Sequence, residues 1–97
     1  MRYDREYFLT HHVGSRVLLG VLPDPDDDKP FAQIARALRL EMDISGTIVD
    51  VAPDAIWVDT SPTYAVARHP RGGSPFVGRI ESRERIAYDR ILRVKEP

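Results

Sequence analysis

Leu38-Arg39-Leu40-Glu41-Met42-Asp43-Ile44-Ser45 alternates apolar and polar residues without a slip, and after Gly46 the run continues as Thr47-Ile48-Val49-Asp50-Val51. A helix scatters side chains spaced two apart around its axis, whereas a strand lines them up on one face. The stretch therefore predicts one long strand bent or bulged near Gly46, as a small barrel needs at a corner. The preceding Phe31–Ala37 segment predicts a short helix, with Asp28 as its cap and Pro30 as its first residue. A single helix over 30–42 is the competing expectation, since Phe31, Ile34, Ala35, Leu38 and Met42 also fit one helical face.

Working outward, Arg16–Leu22 is rich in branched apolar residues and ends at Pro23, which predicts a buried strand. Pro23–Pro30 holds three prolines and four aspartates and reads as a solvated loop. Its carboxylates suggest Ca²⁺, but the glycine and distal glutamate of an EF-hand loop are missing. Arg2–His12 predicts an N-terminal helix stopping near Gly14, with Tyr3, Tyr7, Phe8 and His11 on one face. Ala52-Pro53-Asp54 is a turn, and Ala55–Thr60 predicts a strand folding back as a hairpin. Tyr64–Ala67 and Phe76–Ile80 predict a second hairpin around the basic loop His69–Pro75. Arg85–Tyr88 and Ile91–Val94 predict two short closing strands. The expected fold is mainly β: one domain over residues 1–97, a small SH3-like or Sm-like barrel of five or six strands, with an N-terminal helix and a short inserted helix.

Composition narrows the function. There is no cysteine, so disulfides and thiolate metal sites are excluded. Apolar runs are too short to span a membrane as a helix, and the N-terminus lacks the apolar core of a signal peptide. No membrane partner and a cytoplasmic location are the expectations. The histidines His11, His12 and His69 lack the i, i+4 spacing of metal ligands, and no serine sits in a nucleophile-elbow context. No nucleophile, base and orienting group assemble, so neither catalysis, nor a cofactor, nor a metal is expected.

The net charge of −1 hides an asymmetry. Residues 1–64 carry six basic and eleven acidic side chains, a balance of −5, and residues 65–97 carry eight and four, a balance of +4. Arginine neutralises phosphates and stacks on bases, so Arg68, Arg71, Arg79, Arg83, Arg85 and Arg90 are candidate nucleic-acid-binding residues. Trp57, on the face opposite Ile56 and Val58, and Tyr64 are candidate stacking platforms. The bland alternatives are that folding mixes the two halves, and that Trp57 belongs to the core or to a subunit interface.

The order of features resembles the Sm-like (LSm/Hfq) small barrels. Tyr3–His12 running into Val13–Leu19 is similar to that family's helix and first strand. Met42–Val51 is similar to its long bent second strand with a glycine, Ala55–Thr60 to its third strand, and Arg85–Val94 to its final pair. The chain departs from the family at the loop and helix over 23–37. Asp50 and Asp54 have the spacing of the family's Asp-x-x-x-Asn, but aspartate stands where asparagine should. Asp89-Arg90 replaces its Arg-Gly. The resemblance implies a homo-oligomeric ring joined by terminal strands, with single-stranded RNA or DNA as possible partners. Assembly without nucleic acid is the alternative.

Overall fold

The computed structural model describes residues 2–11 and 13–96; the expectation for His12 lies outside them. Among the described residues seven strands form one antiparallel sheet, accompanied by two α-helices. In chain order these are α1 (Arg5–Thr10), β1 (Arg16–Val21), α2 (Pro30–Ala37), β2 (Glu41–Val51), β3 (Ala55–Thr60), β4 (Tyr64–Arg68), β5 (Phe76–Arg79), β6 (Arg83–Ala87) and β7 (Ile91–Lys95). A single 3₁₀ turn, Tyr88–Arg90, separates the last two strands. Seven strands exceed the expected five or six, and 64–68 pairs with 76–79 as the expected second hairpin.

β2 organises everything else. Its Met42, Ile44, Gly46 and Ile48 are buried while the intervening residues are less so, as the alternation predicts. Along one edge it pairs with β1 from Met42 to Thr47. Along the other it changes partner: Glu41–Asp43 pair with β4, and Gly46–Val51 with β3. The expected irregularity is displaced. The register shift lies between Ile48 and Asp50, leaving Val49 out of the ladder. Gly46 serves close approach instead, because a Cβ there would run into the Asp59 carbonyl oxygen. β1 also pairs with β7, and β3 with β6. No pairing among the described residues closes the sheet on itself.

Phe8, Val17, Leu19, Val21, Met42, Ile44, Ile48, Ile56, Val58, Ile86 and Ile91 fill the interior. α1 caps one end. Asp4 accepts from the Tyr7 N–H at 3.0 Å, and Phe8 stacks on Tyr88 with centroids 6.0 Å apart. Tyr88 in turn donates to the Ala52 carbonyl at 2.5 Å, tying the 3₁₀ turn to the β2–β3 hairpin.

α2 ends at Ala37, so the long-helix alternative over 30–42 fails. The helix closes with Arg39 in the left-handed region at φ 56°, and the Leu40 N–H reaches back to the Ala35 carbonyl at 2.8 Å. That is a Schellman ending with arginine where glycine is favoured. At the other end the N-cap is Lys29, which makes no side-chain cap bond, and Asp28 does not take the capping role.

Candidate interaction surfaces

The sheet's outer face carries most of the residues singled out in the sequence. Strand register aligns Val77, Val66, Asp43, Gly20 and Arg93 in one row across β5, β4, β2, β1 and β7. The Arg93 guanidinium lies over Gly20, at the place a Cβ would occupy. From there it donates to Glu41 at 2.7 Å and lies 3.8 Å from Asp43. Arg68 reaches Asp43 from the other side at 2.5 Å. Two cations and two anions thus neutralise one another across the middle of the face.

The remaining candidate arginines divide sharply. Arg83 forms a two-pronged contact with Asp59, at 2.7 and 3.2 Å. That hydrogen bond pulls the Asp59 carboxyl below its usual pKa and pushes Arg83 above its own. Arg85 binds Asp54 at 2.5 Å and stands opposite Trp57, which is half-buried on the outer face. Arg90 is only 9% exposed. It donates to the Leu22 carbonyl at 2.9 Å and to the Arg85 carbonyl at 3.4 Å, with Asp24 3.9 Å away. Burial lowers its pKa, opposed by Asp24, Glu84, Asp27 and Asp89. Arg71, in the 69–75 loop, and Arg79, at the end of β5, are exposed and make no ion pair among the described residues. Arg79 stands opposite the exposed Tyr64.

The aspartate loop is more than solvated charge. Arg36 of α2 donates to the Asp24 and Asp27 backbone carbonyls at 2.6 and 2.5 Å. With Arg90 it anchors the loop from beneath. Asp24, Asp27, Lys29, Arg79, Glu84 and Arg90 all border a cavity of about 30 Å³ floored by Phe31, Met42 and Ile44, room for about one water. Glu84 lies on the inner face of β6 and accepts from the Glu81 N–H at 3.0 Å. Burial raises its pKa, while that N–H, Lys29 and Arg90 pull the other way. Among the described residues no three His, Cys, Asp or Glu side chains converge as a metal site.

Strand edges supply a second kind of surface. The Ile80 N–H bonds to the Thr63 carbonyl at 3.1 Å, which sets the phase of the β4–β5 ladder. Phe76 and Gly78 therefore face β4, while the backbone groups of Val77 and Arg79 point away. The Ile48 N–H bond to Ser15 sets β1 likewise, so Arg93 and Lys95 of β7 face β1 and Val94 points outward. On β6 the outward carbonyl of Arg85 is engaged by Arg90. β5, β6 and β7 each pair on one side alone, and among the described residues no backbone hydrogen bond fills the outward side of β5 or β7.

Ile34 and Leu38, expected on one apolar face with Phe31 and Ala35, are instead turned outward: with Pro30 and Ala37, at i, i+4, i+7 and i+8, they are all exposed. No family model, no curated protein and no solved structure matches the chain. No described helix is long and apolar enough to cross a membrane.

Proposed function

We propose that the chain is a protein-interaction and assembly module on the plan of the Sm-like barrels, joining copies through the open edges of β5 and β7. The observation that carries this is the fate of its arginines. Four of the six candidates are engaged within the chain, by Asp43, Asp59, Asp54 and two backbone carbonyls. A phosphate would have to displace those partners, whereas an edge strand needs nothing displaced. The short helix, the long second strand with Gly46, the hairpin into β3 and the last two strands around a 3₁₀ turn support the Sm-like plan, with α2 and the β4–β5 hairpin as additions.

Solution mass by light scattering tests the assembly. A multiple of 11.0 kDa is expected, falling when Val77→Pro or Val94→Pro removes an outward N–H. A monomer up to about 1 mM would exclude it. A second reading, weak single-strand binding, is favoured by one grouping: Tyr64 opposite Arg79, with Arg71 exposed in the adjoining 69–75 loop.

A further inference from the structure

α2 is apolar on two faces. Phe31, Ala32 and Ala35 pack inward, Phe31 against the hairpin at Gly78 and Phe76. Pro30, Ile34, Ala37 and Leu38 form a second stripe facing solvent, with Ile34 47% and Leu38 57% exposed. A helix apolar on both sides is normally covered on both. We propose that this outer stripe seats the same stripe of a second copy, the two helices antiparallel about a two-fold axis near Ile34. The proposal deepens the assembly reading and rests on it for the partner being another copy.

Three features make the stripe self-complementary. An axis near Ile34 sets Ile34 against its symmetry mate and Leu38 against Pro30, while Ala37 leaves room for close approach. Charge follows the same symmetry. Asp26 and Asp28 lie just before the helix and Arg39 just after it, and none of the three makes an ion pair among the described residues. An axis at Ile34 sets each Arg39 against the partner's position 29, beside Asp28; Lys29 there is paired within its own chain with Asp27 and Glu81, and the helix dipoles are opposed. Arg39 also holds a left-handed conformation in which glycine would be less strained, and such strain is commonly retained where the side chain is needed.

Sedimentation velocity on the full chain tests this. Ile34→Glu is expected to abolish self-association through α2. Arg39→Glu is expected to weaken it about tenfold by placing like charges together. Adding Asp28→Lys to Arg39→Glu is expected to restore it to within about threefold. The swap also separates lost contact from lost folding, with circular dichroism and Trp57 emission as checks. Self-association that survives Ile34→Glu but disappears with Val77→Pro or Val94→Pro would overturn the α2 contact and leave the edge reading standing. Self-association lost in Ile34→Glu, weakened in Arg39→Glu and rescued there by the charge swap, yet indifferent to both proline variants, would support α2 and remove the edges. A chain that is monomeric throughout would overturn both.

Discussion

The two flanks of β2 are held in different ways. On the β3–β6 side, Ile48, Ile56, Val58 and Ile86 are fully buried and the ladder runs unbroken through β3 and β6. On the α2–β4–β5 side, the interior is lined by small residues, Ala65, Ala67 and Gly78, and Phe31 lies against the glycine. Beside it Arg36, Arg90, Lys29 and Glu84 hold the loop through carbonyls and mixed charges. One flank is sealed by aliphatic burial. The other depends on a few shape-specific and polar contacts, so it should respond to different substitutions.

The largest effect is expected on the aliphatic flank. Ile56→Ala should cost about 2–5 kcal/mol in urea unfolding, because a fully buried position cannot collapse around the loss. Next comes Gly78→Ala, at about 1–3 kcal/mol, since the new methyl would occupy the Phe31 ring position. Combining it with Phe31→Leu should recover part of that loss; strict additivity would mean the ring and the glycine are not in contact. Arg39→Gly should stabilise by about 0.5–1 kcal/mol in the same assay, by relieving the left-handed arginine.

The smallest effect is pH-dependent. Burial raises the folded-state pKa of Glu84, so the stability it contributes is present below its unfolded pKa and lost as pH rises through the folded one. Glu84→Gln should therefore stabilise near neutral pH, by less than about 1 kcal/mol, and the advantage should vanish below about pH 4. A loss of stability at neutral pH would show that the attraction to Lys29 and Arg90 outweighs desolvation.

The same contrast explains what could be read in advance. β2 was legible because its apolar residues recur every second position, and β3 because Ile56 and Val58 do the same. Helix α2 was legible from Pro30 and its apolar content, but its cap was misplaced because Asp28 stands one residue before Lys29. Phe31 on Gly78 joins residues far apart in sequence, and periodicity carries no trace of it. The arginines mislead for a related reason. Composition counts charges, but the pairs Arg68–Asp43, Arg83–Asp59 and Arg85–Asp54 arise only when strands from the acidic and basic halves come together. Arg90 looks like any other cation until Leu22 and the aspartate loop close over it.

That internal use of charge is most directly tested by fluorescence anisotropy of labelled single-stranded RNA and DNA across a salt series. With the paired and buried arginines out of play, the expected result is no saturable binding at about 50 mM salt, or at most a weak association with a log–log slope near −1.4 from Arg71 and Arg79. A slope near −4, the value for about six neutralised phosphates, with affinity lost on changing Arg79, Arg83 and Arg85 to Ala, would contradict it.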